Sequence, residues 1–499
     1  MNLAVAFRES VKKRPDKIAL FWGDQQFSYS ALHARTLSVT RHLIESLGVQ
    51  PGDRVGLWLK NRPEFVSSFL GILSAGAVVV PINNFLKPDE VNYILQDAGI
   101  NVLISEQELG AQVSALTAMR PGLKAVLVDE WPAFAQAAGA ISEPGTVSAR
   151  GPSDLAVIIY TAGTTGRPKG AMLSHGNLLH NIESCRLVLE TVDVDSFGVI
   201  LPLFHSYMMT VGMLLPLLVG GTMVLVRSLH PPNQALRELM ERRATILPAI
   251  PQFYRALLAA APPALPFRLC VSGAAPLPVQ VLKDFEARFG IPLIEGYGLS
   301  EASPVVAKNP IHGVRKPGSI GLPIPNVEMS VQDEQGRLLG PNEIGEICVR
   351  GGNVMLGYWN KPEETAKAFR NGWLLTGDIG YRDAEGYYYI TDRKKDMLLV
   401  NGINVYPREI EEVIYQFPGV RECAVVGRPD PRRGEQPVAF VAPLEGATLD
   451  ETALVQFVRE KLADYKVPRK IHFVSNLPRN AAGKVLKTQL RELLAQQGE

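Results

Sequence analysis

Between residues 160 and 171 the chain reads YTAGTTGRPKGA, and its residue types point to anion chemistry. The glycines, Gly166 among them, let the backbone turn and present N–H groups in a concave nest. Thr161, Thr164 and Thr165 add hydroxyl donors, and Lys169 adds positive charge. Together these suit a polyphosphate. The loop is not the phosphate loop of GTPases, which needs Ser or Thr directly after its lysine, because Gly170 follows here. It follows LAVIIYTAG (155–163), a continuous apolar run expected of a central strand buried on both faces. The end of such a strand is where open α/β sheets bind ligands.

Other runs carry chemistry less sharply when each is read alone. In EGYGLSEAS (295–303), Tyr297 can stack on a flat ring, Ser300 can donate to an anionic oxygen, and Glu301 can hold a hard cation such as Mg²⁺. The same residues also make a turn with a surface carboxylate. Gly273, Ala274 and Ala275 in SGAAPLP (272–278) leave room for a flat group but mean little in isolation. Asp378 in TGDIG can accept from both hydroxyls of a vicinal diol, or equally cap a turn. VLKTQLRELLAQ (485–496) reads as a terminal helix, which puts Lys484 just before its start, where the helix dipole disfavours a cation unless an anion binds with it. Alone, Lys484 also reads as an ordinary solvated lysine. His205 lies in an apolar segment and could equally be a satisfied core histidine.

With PLFHSY (202–207), LLTGDIG (374–380), DRKKDMLLVNGINVYPREIE (392–411) and PRNAAGKVLK (478–487), these runs closely resemble, in order and spacing, the adenylate-forming superfamily. That superfamily includes acyl- and aryl-CoA ligases, adenylation domains of peptide synthetases, and firefly luciferase. The resemblance covers nearly the whole chain, and the wording from 392 onward is closest to bacterial fatty-acyl-CoA ligases. It implies two steps: a carboxylate and MgATP give an acyl-adenylate and pyrophosphate, then a thiol, CoA or a carrier protein's, takes the acyl group. It also implies roles. Thr161, Thr164, Thr165, Gly166 and Lys169 would hold phosphates, Thr165 close to the chemistry. Gly273, Ala274, Ala275, Glu295, Gly296, Tyr297, Gly298 and Ser300 would form the ATP site, with Mg²⁺ on Glu301. Asp378 would bind ribose, and Arg393 ribose or phosphate. Lys484 would bridge carboxylate and α-phosphate, and His205 would border the acyl site. Lys395 would be a hinge, and Gly402 would line a thiol tunnel. Three departures bear on rate and ATP affinity: Ala162 where a serine is usual, Ser300 for the commoner Thr, and the unusual approach to the lysine through Asn480, Ala481 and Ala482.

The elements that must position these groups are legible as rhythm. The first 390 or so residues alternate short β-branched runs with helical patterns, as in DRVGLWL (53–59), PEFVSSFLGILSAG (63–76) and AVVVPI (77–82), which is the rhythm of a mainly parallel sheet covered by helices. From about Val327 the strands become shorter and Gly-punctuated, predicting an antiparallel or barrel-like subdomain. The block DRKKD (392–396) reads as a solvated junction, dividing a large N-terminal domain (1–394) from a small mobile α+β domain (395–499). In the latter, Ile410, Val413, Ile414 and Phe417 mark one amphipathic helix, and Leu454, Phe457, Val458 and Leu462 a second.

Composition bounds the rest. The 499 residues are 46% hydrophobic and 20% charged with a net charge of +1, so the chain is globular and has no global attraction for nucleic acid. The N-terminal apolar run is too short for a signal peptide, and the four cysteines are too far apart for a metal site, which makes a reducing cytosol the expected compartment. A stretch without Asp, Glu, Lys or Arg at 199–226 is long enough to span a bilayer but is broken by Pro202, Gly212, Pro216 and Gly220–Gly221. It reads better as a core wall lining an apolar pocket, with no transmembrane segment and peripheral membrane contact left open. The charge-free wall favours a medium- or long-chain fatty acid, with an aryl acid second. Amino-acid-activating relatives carry an Asp in the PLFHSY segment, which this chain lacks, so an amino-acid substrate is disfavoured. Carrier-loading acyl-AMP ligases are usually longer, and a binding module that has lost catalysis is the remaining alternative.

Overall fold

The structure, a computed structural model, describes residues 1–131, 150–161, 167–229, 232–262, 264–394, 396–401, 403–430, 432–480 and 484–496. The expected alternation is present: strand Arg54–Leu57 leads through helix Pro63–Ser74 to the parallel neighbouring strand Val78–Pro81. Pro63, Pro88, Pro251, Pro362 and Pro407 each open a helix, where the missing N–H would have had no intrahelical acceptor. Helix His175–Val188 starts on a reciprocal cap, Ser174 Oγ accepting the Asn177 N–H at 3.0 Å and Asn177 Oδ1 accepting that of Ser174 at 2.9 Å.

Two large sheets share one core. The nine-stranded sheet has parallel central strands Ser196–Val199, Thr222–Leu225, Ile246–Ala249, Leu269–Ser272 and Leu293–Gly298. The seven-stranded sheet holds Leu155–Thr161 beside Val78–Pro81. Side chains alternate across each strand: Val157, Ile159, Met223, Leu225, Leu269 and Val271 enter the shared core, whereas Ile158 packs on one outer face and Val224 and Cys270 on the other. Helix Pro63–Ser74, buried at every residue but Glu64, fills that core. So does the charge-free stretch, which folds as a buried wide-turn helical segment Met208–Leu214, a short helix Leu215–Val219 and the strand Thr222–Leu225. Among the described residues no helix is long and apolar enough to cross a membrane. All four cysteines are buried and unbridged.

His175 is also buried in this region and accepts the Leu3 N–H through Nδ1 at 3.3 Å. Burial pushes its imidazole down to about 4. The unfolded chain therefore takes up a proton near pH 6.5 that the native state refuses until about pH 4, and stability falls as pH drops through that window, by about 3 kcal/mol at most from this group. The urea midpoint should fall between pH 7 and pH 4.5, and fall less in His175→Asn; an identical fall in both proteins would remove the assignment.

From Val327 the chain builds an antiparallel sheet of Val327–Gln332, Gly345–Gly351, Phe369–Arg370, Trp373–Arg382 and Tyr388–Arg393. After it, strands Leu398–Val400, Ile403–Val405, Val420–Asp430, Gly434–Pro443 and Lys470–Phe473 form a mixed sheet of their own. Helices Pro407–Ile414 and Glu451–Lys461 cover one face and Lys487–Gln496 the other. Two sequence expectations need correction here. The terminal helix starts at Lys487, so Lys484 does not abut its N-terminus. It is tied to Asn480, whose N–H donates to the Lys484 carbonyl and whose Oδ1 accepts the Lys484 N–H, both at 2.9 Å. The charged block 392–396 is not wholly solvated either: Asp392 and Asp396 are buried, Asp392 accepting the Arg408 N–H at 3.0 Å and Asp396 pairing with Arg491 at 2.7 Å.

Candidate functional site

The motifs meet at the carboxyl ends of strands from both large sheets. Thr161 ends Leu155–Thr161 and pairs with Lys169 on the antiparallel strand Lys169–Ser174, so the Gly/Thr run joins a hairpin and does not lead into a helix. Ala162, Thr164, Thr165 and Gly166 lie outside the described residues, as do Lys395 and Gly402.

Glu301 sits on the one-turn helix Ser300–Ala302 that follows Leu293–Gly298. Its Oε1 accepts from Thr161 Oγ1 at 3.2 Å and from the Tyr358 hydroxyl at 3.0 Å. These two donors fix the carboxylate beside the loop. Ser300 Oγ lies 3.0 Å from Ser206 Oγ. Lys169 donates to Glu364 Oε2 at 2.5 Å and lies 5.0 Å from the Tyr358 ring centroid. Its charge is thus balanced by a carboxylate that carries no sequence signal. Among the described residues no three His, Cys, Asp or Glu side chains cluster to hold a metal. A cation at Glu301 would need a ligand's oxygens as its other donors, a set that Mg²⁺ accepts.

A second group forms where the antiparallel sheet meets Leu293–Gly298. The Tyr297 hydroxyl donates to Asp378 Oδ2 at 2.5 Å, and Arg393 Nε lies 3.5 Å from Asp378 Oδ1, the two residues facing each other across the strand pair. Burial, then the nearby Asp378 charge, holds the Tyr297 phenol far above its usual range, so it stays a donor. Gly298 is required sterically: a Cβ there would meet the Pro304 carbonyl at 2.1 Å, whereas at Gly296 nothing comes closer than 3.6 Å. Gly273 faces the Tyr207 ring, 3.1 Å from where its Cβ would stand, and Tyr207 is tied by its hydroxyl to the Val271 carbonyl at 3.0 Å. Ala274 next to it is left-handed at φ +64°, and Ala275 completes the small run. Glu295 is buried. Its Oε1 accepts the Leu277 N–H at 3.1 Å, with Arg408 at 3.9 Å, while Oε2 has no partner. Burial pushes this carboxyl up to about 7.

His205 and Lys484, far apart in sequence, act on each other here. Burial first, then the charge of Lys484, holds the His205 imidazole down to about 4, so it is neutral at pH 7. Its Nδ1 accepts the Tyr207 N–H at 3.2 Å, and the charge-free segment Met208–Leu214 follows directly. A neutral histidine that feels a lysine's charge thus stands directly before a buried, charge-free segment. Sequence reasoning missed Tyr207, Tyr358, Glu364 and Arg408. Tyr207 and Arg408 stood inside quoted motifs, but nothing local marks Tyr358 or Glu364.

A family model described as AMP-binding enzyme matches residues 7–359, and one described as AMP-binding enzyme C-terminal domain matches 409–484. The chain belongs to the AMP-binding enzyme family. It is 38% identical to a long-chain-fatty-acid–CoA ligase of Bacillus subtilis over 97% of this chain and 93% of that one. It is 36% identical to a feruloyl-CoA synthase of an Amycolatopsis species, covering 96% of both. ATP-bound MatB from Rhodopseudomonas palustris superposes with a TM-score of 0.91 at 36% identity over 99% of both chains, against 0.80 for the same protein without ATP. The chain is an AMP-forming, ATP-dependent acyl- or aryl-CoA ligase, and its arrangement is nearer that of the ATP-bound neighbour.

Proposed function

We propose that this ligase activates a medium- or long-chain fatty acid as its acyl-adenylate and transfers the acyl group to CoA. The observation that carries this reading is the fully buried, charge-free segment Met208–Leu214 that follows directly on His205, whose imidazole is kept neutral by burial and feels the charge of Lys484. A carboxylate held at Lys484 would have its tail along Met, Val and Leu side chains, which accept methylenes and offer a charged tail no partner. The long-chain and feruloyl relatives support an apolar acid in general, and the second reading, an aryl acid, rests on the latter.

In the first step Lys484 offsets the repulsion between carboxylate and α-phosphate. Glu301, steadied by Thr161 and Tyr358, would hold Mg²⁺, which supplies charge neutralisation at the phosphates. Asp378 would read the ribose hydroxyls, with Arg393 beside it, while Tyr297 and the slot from Gly273 to Ala275 take the adenine. Thr164, Thr165, Gly166 and Lys169 would hold phosphate oxygens, and Lys169 must trade Glu364 for them. In the second step the residues after Lys395 rotate, withdrawing Lys484 and bringing Gly402 toward the thiol.

The test is ATP- and Mg²⁺-dependent pyrophosphate release across graded fatty, aryl and amino acids, with and without CoA. Release selective for fatty acids with CoA converted to thioester is expected. Selectivity for aryl acids would transfer the assignment to the second reading, and release without CoA consumption would point to carrier loading. For the rotation, Lys395→Pro should keep pyrophosphate release and suppress acyl-CoA formation; normal acyl-CoA formation would remove the hinge.

A further inference from the structure

The buried contacts across residue 395 are more specific than a bare pivot requires. Arg408, on helix Pro407–Ile414, is buried, and its guanidinium reaches back across the junction. Nη1 donates to the Ile390 carbonyl at 3.2 Å and Nη2 pairs with Glu295 Oε1 at 3.9 Å, while its backbone N–H donates to Asp392. At a second point Arg255, on helix Pro251–Ala260, crosses the other way. Its Nη1 donates to the Arg421 carbonyl, and its guanidinium lies 5.4 Å from the Tyr415 ring centroid.

We propose that Arg408 and Arg255 are positioning residues, a two-point latch that holds the C-terminal sheet in the arrangement where Lys484 meets His205. The inference rests on the proposed role of Lys484 and extends it to residues that touch no substrate. Its physical basis is that a buried guanidinium such as that of Arg408 is tolerated only while its partners stay in place. The hydrogen-bond, ion-pair and ring partners named above for these two side chains lie on the opposite side of residue 395. Rotation of the C-terminal sheet breaks both sets at once, so they stabilise one arrangement and contribute nothing to the other. The latch also places the Arg408 guanidinium beside buried Glu295, and separation withdraws that charge from the carboxyl.

The experiment measures the two half-reactions separately in Arg255→Ala, Arg408→Gln and Lys484→Ala: pyrophosphate release from acid and ATP, and thioester formation from supplied acyl-adenylate and CoA. Loss of a charge-assisted contact should lower the first by about tenfold or more in each arginine variant. The second should be unchanged or faster, and Arg255→Lys should recover part of the loss. A purely structural role would depress both half-reactions together, and that result, or no change in either, overturns the latch. Arg255 is only partly covered, so its variant keeps the test valid if Arg408→Gln folds poorly. If Lys484→Ala separates the half-reactions and the arginine variants do not, the latch alone falls; if Lys484→Ala also fails to separate them, the reading beneath it falls too.

Discussion

Lys484→Ala should lower pyrophosphate release from acid and ATP by about 10²- to 10³-fold, the cost of removing one preorganised group that stabilises transition-state charge, while thioester formation from supplied acyl-adenylate stays close to the parent rate. The asymmetry follows from the charges. The first step brings a carboxylate onto a phosphate, two anions, and in the proposed role the Lys484 ammonium would make that approach tolerable. The second step attacks a neutral carbonyl carbon after pyrophosphate has left. His205 cannot substitute, because burial and the neighbouring lysine hold its imidazole down to about 4 and it is uncharged at pH 7. The same contact gives a spectroscopic check: with the lysine charge gone, the His205 imidazole should titrate at higher pH than in the parent. Equal loss of both half-reactions, or an unmoved His205, would contradict the assignment.

Glu301→Gln should have an effect of similar kind, about 100-fold on pyrophosphate release. The substitution isolates charge from geometry. An amide oxygen can still accept from Thr161 Oγ1 and the Tyr358 hydroxyl, so the local hydrogen bonds and the thermal midpoint should survive. What disappears is the negative charge of the carboxylate that those donors steady beside Thr161. The dependence on Mg²⁺ should move to higher concentration, and transfer from supplied acyl-adenylate to CoA should be spared. An unchanged Mg²⁺ dependence would show that the cation is held elsewhere. A collapsed midpoint would show that Glu301 serves the fold.

Much of the molecule was determined locally. The strand Leu155–Thr161, the helix opened by Pro407 and the parallel strands on either side of Pro63–Ser74 follow from apolar period, proline placement and strand length, which neighbouring residues specify among themselves. The order of the motifs likewise pointed to the family and the kind of chemistry it performs. Where a local rule was pressed too far it failed at an element's edge: the terminal helix begins three residues after Lys484, whose N–H is taken by the Asn480 side chain.

Only the tertiary structure decided which side chains meet. Tyr358 and Thr161 converge on Glu301 because Gly357–Tyr358 and Leu155–Thr161 both pair with Lys169–Ser174, a strand order that no spacing encodes. Tyr297 reaches Asp378 only because two sheets of different origin abut. Asp392, which reads as one more solvated charge, becomes buried because the helix Pro407–Ile414 presents a backbone N–H to it. Sequence fixes periodicity over a few residues, whereas a site is assembled from strand ends brought together by the pairing and stacking of sheets. That convergence depends on the packing of the whole chain, which is why the chemistry could be read early and its supporting contacts could not.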